Sequence, residues 1–364
     1  MDSLLTDEMR TFIQQDVATM VEQYDAEGAI PKRVLQQAHR IGLFDVWNLD
    51  PALQWAVHES IGYHCSSLRS LLTVDAMGRL ALDTFASQSL QNDMVRQPGG
   101  IMAFALTEPG AGGDPQKLKT KAETLSGGYR LSGHKSWVTG AAYADWVLVF
   151  ARTDDTVSAF VVPLSTKGIQ IEPINNAYAT RAAGSCQLRF EQCDIPAHYR
   201  LGRKGAGLDW VAARCLDYGR FSVAGGAVGV AKAALDLCLH HVASHPDKSQ
   251  PLAKHVPVQQ DVAEMVADIE TTKALAQKVI SLRQSDHPNA SSYTTLLKYK
   301  AAQIVAACTQ RSLQLLGHRA FTEHAKAARL HRDAQCFRLI EGTETMNAIN
   351  IANAAYRSVF HESC

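Results

Sequence analysis

No Cys-x-x-Cys pair occurs in this 364-residue sequence. The eight cysteines (Cys65, Cys186, Cys193, Cys215, Cys238, Cys308, Cys336 and Cys364) are scattered, which argues against a zinc site or disulfide framework and for reduced thiols acting as small core residues. An excess of one charge is also missing. Lys plus Arg and Asp plus Glu number 36 each, so no bulk field draws the chain to nucleic acid or an anionic membrane. No run reaches the roughly 18 uninterrupted apolar residues of a membrane-spanning helix. Met1 to Arg10 carries Asp2, Asp7 and Glu8 where a leader peptide needs an apolar stretch. A cytoplasmic location is the expectation. Internal repeats and low-complexity segments are lacking too. A hydrophobic share of 46% with 20% charged residues is that of a folded globular chain, long enough for two or three domains.

The apolar residues that are present follow two periods. Leu5, Met9, Phe12, Ile13, Val17, Met20, Val21 and Tyr24 recur at three-and-four spacing, which predicts one amphipathic helix over 5–24. A second helix is expected from Pro31 to Gly42, and others over 53–61 and 68–82. Residues 1–100 thus read as an all-helical N-terminal domain, closed by a Gln97-Pro98-Gly99-Gly100 turn. From Ile101 the period drops to two. Short strands are predicted at 121–125, 129–131, 146–151, 159–163, 169–171 and 187–190, with a hairpin turn at Ser126-Gly127-Gly128. With no helices between them, they argue for a small β-domain, barrel or sandwich, over 101–200.

Helices return over 201–364 as a C-terminal bundle of four or five. Asp209 is the expected cap of a helix to about His245, Pro257 opens another, a third covers 290–316 before Gly317, and a fourth covers 325–341 before a terminal helix. Gly219, Gly225, Gly226 and Gly229 in the first of these permit close approach of a helix or ligand. The whole is mostly α with a central β-domain.

Ile340-Glu341-Gly342-Thr343 marks the junction of the last two helices. Gly342 is the expected left-handed stop and Thr343 the next cap, which makes Glu341 the last side chain before the break. The negative end of a helix dipole, together with apolar surroundings, would raise its pKa and tune it for proton abstraction near neutral pH. An exposed helix-end Glu is the plain alternative.

Three further motifs accompany it: Leu106-Thr107-Glu108-Pro109-Gly110-Ala111-Gly112-Gly113-Asp114, Gly133-His134-Lys135-Ser136-Trp137-Val138-Thr139 and Arg332-Asp333-Ala334. In this order, the set closely resembles the signatures of the flavin-dependent acyl-CoA dehydrogenases over nearly the whole chain. Gly62-Tyr63-His64-Cys65-Ser66-Ser67-Leu68-Arg69-Ser70, Thr139-Gly140-Ala141-Ala142-Tyr143-Ala144-Asp145, Arg181-Ala182-Ala183-Gly184 and Tyr218-Gly219-Arg220 are similar to one branch of that family. Its members act in polyketide extender-unit synthesis, oxidising a short hydroxyacyl group on an acyl carrier protein towards hydroxymalonyl or methoxymalonyl units.

The resemblance implies FAD as cofactor and Glu341 as catalytic base. It places Leu106, Thr107, Trp137 and Thr139 at the isoalloxazine ring and Thr343 at a phosphate or ribityl contact. Gln314 and Gly317 would reach the cofactor of a neighbouring subunit, which implies a homodimer or homotetramer. Gly113, Asp217, Arg220 and Arg69 match substrate positions, the substrate being an acyl carrier protein or CoA thioester, and electrons would leave to a transfer partner or O2. Read without the resemblance, Trp137 is a core residue, Gln314 and Gly317 a helix end, Asp217 and Arg220 a surface ion pair, and Arg69 a solvated helix residue. Three departures stand out: Gly113 replaces a usual Ser, His318 a usual Gly, and His245-Pro246-Asp247-Lys248-Ser249 replaces the family's Arg-x-x-Phe-Gly, which lowers the expected grip on FAD. Competing readings are a general short-chain acyl-CoA dehydrogenase, a flavin monooxygenase or oxidase on this scaffold, and a non-catalytic binding subunit.

Overall fold

The computed structural model describes residues 2–95, 100–244, 251–322 and 326–361; positions 97–99 of the expected turn and the 245–250 segment lie outside them. Helices α1 (Asp7–Phe12), α2 (Val21–Glu27), α3 (Lys32–Arg40), α4 (Pro51–His64), α5 (Ser66–Phe85) and α6 (Gln88–Val95) come first. Strands follow: β1 (Met102–Ala105), β2 (Lys121–Leu125), β3 (Gly128–Val138), β4 (Trp146–Thr153), β5 (Thr156–Pro163), β6 (Ile169–Pro173), β7 (Cys186–Pro196) and β8 (Arg200–Leu201). Helices α7 (Ala213–Ser244), α8 (Val256–Gln284), α9 (Ala290–Leu316), α10 (Lys326–Phe337) and α11 (Glu344–His361) complete the chain.

Several elements differ from their sequence reading. The helix expected over 5–24 is split: π-helical turns over Ile13–Ala18 interrupt it, and α2 restarts at Val21. Its inward residues Met9, Phe12, Ile13, Val17, Val21 and Tyr24 are all buried, because one extra residue per turn over so short a stretch leaves the apolar period nearly unchanged. Asp209 caps nothing; it lies within a π-helical stretch, Gly207–Ala212, that leads into α7. The helix expected to reach Glu341 stops at Phe337.

All six predicted strands are present, and the hairpin pairs Leu125 with Gly128 across Ser126 and Gly127. They form one eight-stranded sheet in the order β6-β7-β3-β2-β4-β5-β8, with β1 parallel to β4. β1 and β8 were not foreseen, since four and two residues are too few to show a period.

Helix α5 positions the rest. Its Asp75 accepts from Met102 N at 2.8 Å, and Gly78 packs against Met102, which fixes this face on the sheet. The opposite face, with Arg69, Thr73 and Met77, meets α7: Thr73 hydrogen-bonds Ser222, and Cys215 Sγ donates to Met77 O at 3.3 Å. A helix buried on both sides loses its polar stripe. α5 therefore forms a wall between the sheet and the bundle.

Candidate active site

Glu341 does not end a helix. It takes a left-handed φ of 53°, followed by Gly342 at 92°, and the two together reverse the chain between α10 and α11. A non-glycine residue held there costs about 1 kcal/mol or more, so its surroundings must over-determine it. They do. Arg220 Nε donates to Glu341 O at 3.2 Å, while Lys298 Nζ and Asn347 Nδ2 donate to Gly342 O at 2.6 and 2.8 Å. Thr343 Oγ1 accepts from Met346 N at 3.2 Å and caps α11.

Burial pushes the Glu341 carboxyl up to about 7, against the pull of Arg220, Lys298 and Arg69. The helix-dipole contribution expected from the sequence does not apply, because α10 has already ended and the nearer terminus is the positive start of α11. Oε2 is buried without a hydrogen-bond partner. The carboxyl is therefore poised near neutral pH, with Oε2 free to accept a proton or hydrogen bond.

The carboxyl lies in a slot between α5 and α7. On α7 the facing positions are Gly219, Ser222 and Gly226; on α5 they are Met77, Thr73 and Arg69. Arg69 closes one end. It is not the solvated residue of the plain reading: it is 1% exposed, folded against Gly226, with its guanidinium 5.0 Å from the Phe337 ring. It donates to Thr73 Oγ1 at 3.1 Å and Ser70 Oγ at 2.6 Å, while its Nε has no partner. Among the described residues it has no ion pair. Burial lowers its pKa to about 10, so it stays cationic.

Towards the other end, α7 and α5 bear Asp217 and Leu80 beside a cavity of about 440 Å³, also lined by Trp47, Tyr218, Arg214 and Arg283. Asp217 does not pair with Arg220 as the plain reading held. Its Oδ2 accepts from Arg283 of α8 at 2.8 Å, its Oδ1 is buried and unpartnered, and Arg220 is committed to the Glu341 carbonyl. The expected substrate positions thus separate: Asp217 lies in the cavity, Arg220 against the Glu341 carbonyl, and Arg69 farther along α5.

The sheet holds the other expected cofactor residues. Ser136 N donates to Thr107 O at 2.9 Å, which sets the 106–107 segment beside the end of β3. A register shift between Lys135 and Val138 leaves Trp137 at φ 55° and 57% exposed, so the indole is presented rather than packed in the core. Beneath it the buried Lys135 bonds Glu108 Oε1 at 2.8 Å and Leu106 O at 3.2 Å. Thr139 is half-buried where β3 ends, and its neighbour Gly140 packs on Leu71 of α5. Gly113 lies in an exposed turn with open space around it. Gln314 and Gly317 are exposed at the far end of α9, about 24 Å along the helix from Lys298. The site residues that sequence reading did not single out are Lys298, Thr73, Ser222 and Arg283. Lys298 was detectable, because it falls on the inward line Thr294, Leu297, Ala301, Val305 and Cys308 of α9.

Comparison with known proteins bears on this arrangement. The acyl-CoA dehydrogenase middle-domain model matches residues 103–193, and the C-terminal-domain model of the same family matches residues 205–356, together more than half of the chain. This chain belongs to the acyl-CoA dehydrogenase family. The short-chain specific acyl-CoA dehydrogenase of Sus scrofa mitochondria is 27% identical over 98% of this chain and 90% of its own. Among solved structures, FkbI, for biosynthesis of the methoxymalonyl extender unit of the polyketide Fk520, is 26% identical with a TM-score of 0.86, covering 98% of this chain and 99% of that one. A Mycobacterium smegmatis glutaryl-CoA dehydrogenase in complex with FADH2 superposes with a TM-score of 0.90 at 22% identity, covering 97% and 96%.

The acyl-CoA dehydrogenase reading makes the chain an FAD-dependent oxidoreductase acting on acyl thioesters. The residues present suit a flavin. An exposed Trp137 held out by a bulge offers a flat wall, the 106–107 segment lies beside it, and the partnerless Glu341 Oε2 occupies the slot across α5.

Proposed function

We propose that this acyl-CoA dehydrogenase oxidises a short hydroxyacyl group presented as a thioester on an acyl carrier protein, with Glu341 as the base. The observation that carries the reading is Arg69. A buried guanidinium with no ion pair among the described residues, bonded to the Thr73 and Ser70 hydroxyls, stands beside the Glu341 carboxyl. It favours an acyl group of three to five carbons ending in an oxygen acceptor. The likeness to FkbI supports a carrier-bound hydroxyacyl substrate.

On such a group Glu341 takes either the C2 proton or the proton of a C3 hydroxyl. In both cases a hydride leaves C3, giving a C2=C3 double bond or a C3 carbonyl. FAD, when bound, accepts that hydride. The backbone N–H of Glu341 faces the thioester carbonyl, and Asp217 meets the amide of the carrier arm in the cavity beyond Met77. Leu106, Thr107, Trp137 and Thr139 hold the ring on the sheet side, and Gln314 and Gly317 serve the cofactor of a second copy in a homodimer or homotetramer.

Carboxylate-ended acyl groups are a second reading, favoured by the same unpaired guanidinium. One panel separates them: hydroxy-, carboxy- and methyl-ended acyl groups of three to five carbons, each on carrier protein and on CoA, with flavin bleaching followed anaerobically. Fast bleaching by hydroxyacyl carriers, weakened by salt, is the expected result, since such carriers are acidic. Equal rates on methyl-ended CoA esters would remove the proposal. Turnover with an artificial acceptor under the same conditions separates an electron-transfer partner from O2.

A further inference from the structure

Lys298 is fully buried, and among the described residues it forms no ion pair. Its one hydrogen bond goes to Gly342 O at 2.6 Å, and Asn347 Nδ2 already donates to that oxygen at 2.8 Å. Two donors fill the lone pairs of a carbonyl, and a neutral side chain would serve as well as lysine for one of them. A buried ammonium is costly to desolvate. Its charge therefore calls for a reason other than the hydrogen bond.

That reason lies next to the carbonyl it holds. The ionisable groups around the Glu341 carboxyl are Arg69 of α5, Cys215 and Arg220 of α7, and Lys298 of α9, with Glu344 of α11 beside Lys298. Cys215 is buried and neutral, its thiol pushed far up by desolvation. Arg69 is drawn to hydroxyls at the closed end, and Arg220 bonds the Glu341 carbonyl. Among these ionisable groups Lys298 is the one that joins the turn through the Gly342 carbonyl, and it has no other side-chain hydrogen bond among the described residues.

We propose that Lys298 is a positioning residue for Glu341: it clamps the left-handed turn through the Gly342 carbonyl, and its charge keeps the neighbouring carboxylate ionisable in a dry slot. Burial holds Lys298 itself down to about 8, so the charge is present at neutral pH and is lost above it.

The inference rests on Glu341 being the base, and its test is chosen to be readable without turnover. The carboxyl C=O stretch of Glu341, identified by its loss in Glu341→Gln, is titrated by infrared spectroscopy in the parent holoenzyme, Lys298→Gln, Lys298→Met and Lys298→Arg. Gln keeps a donor for Gly342 O and loses the charge; Arg keeps the charge. Lys298→Gln and Lys298→Met should raise the midpoint by about one pH unit, with a roughly five-fold fall in kcat at pH 7 and little change in KM, and Lys298→Arg should restore the midpoint. Parental midpoints and kcat in both uncharged variants would overturn the proposal. Should Lys298→Met fail to fold, the Gln variant, which keeps a polar end, decides. Activity retained in Glu341→Gln would defeat the functional reading instead, while the infrared midpoints would still measure the coupling.

Discussion

Gly219 leaves open the space that the Glu341 carboxyl occupies: a Cβ built at Gly219 would stand 2.6 Å from both Cδ and Oε2 of Glu341, and 3.0 Å from Met77 Sδ. Helical backbone at this position accepts alanine, which favours the helix by about 1 kcal/mol over glycine. The main obstacle to alanine is the carboxylate, since the flexible Met77 side chain need give way by only a few tenths of an ångström. Gly219→Ala is expected to leave thermal stability within about 1 kcal/mol of the parent while lowering kcat/KM by at least about ten-fold, the scale on which a small misplacement of a catalytic group is felt. Melting curves and steady-state rates measured together check both halves.

Replacing Glu341, the proposed base, should separate binding from chemistry. Glu341→Gln conserves volume and removes proton acceptance, so retained flavin absorbance with a loss of about 10²–10⁴ in turnover is expected. The parent's kcat/KM should rise with pH through about 7, as the carboxyl ionises.

Stability carries the opposite sign. A carboxyl whose folded pKa lies above its ordinary value near 4.5 is favoured in its protonated form, so the cost of burying the ion is absent below about 4.5, grows as pH rises through about 7 and is full beyond it. Glu341→Gln should therefore melt higher than the parent at pH 8 and alongside it at pH 4.5. Equal melting temperatures at both pH values would show that burial does not dominate this carboxyl.

The Asp217–Arg283 pair ties α7 to α8 beside the cavity, with both side chains largely buried. Asp217→Ala strands the guanidinium and is expected to cost about 3 kcal/mol of stability. Asp217→Asn keeps an acceptor for Arg283, so its effect on stability should be smaller. If Asp217 meets the carrier arm, both variants should raise KM with kcat near the parent value. Calorimetry and saturation kinetics on the same preparations distinguish a fold strut from an arm contact.

How much of this was legible in the sequence depends on how local the cause is. The Ser126-Gly127 hairpin, Gly317 as a helix stop and Thr343 as a cap are set by their own few residues, and each appears where the sequence put it. The left-handed turn of Glu341 is only partly local: Asn347 holds it from the start of α11, but Arg220 and Lys298 reach it from α7 and α9, and intrinsic preference points to Gly342 alone. Asp217 is similar. Spacing offered Arg220 as its partner, whereas the one it takes is 66 positions away. Trp137 was placed in the site only by resemblance, because a bulge in β3, invisible to an alternating pattern, turns it outward.

Arg69 offers a case where stability and function should move in opposite directions. Its guanidinium is buried, has no ion pair among the described residues and leaves Nε unbonded, so two hydroxyls, the Phe337 ring and the nearby Glu341 offset its desolvation cost only in part. Met has a similar length, no charge and no donors to satisfy, and exchanging buried charge for apolar side chains of like volume is often neutral or stabilising by about 1–4 kcal/mol. Arg69→Met is thus expected to melt at or above the parent temperature. The same exchange removes the group proposed to receive the end of the acyl chain, so bleaching by hydroxy- or carboxy-ended thioesters should fall by at least about ten-fold, while a methyl-ended butyryl thioester, which a cation repels by desolvation, should gain. A variant that melts lower, with all three substrates reduced in proportion, would mean that Arg69 holds α5 against α7 and selects nothing.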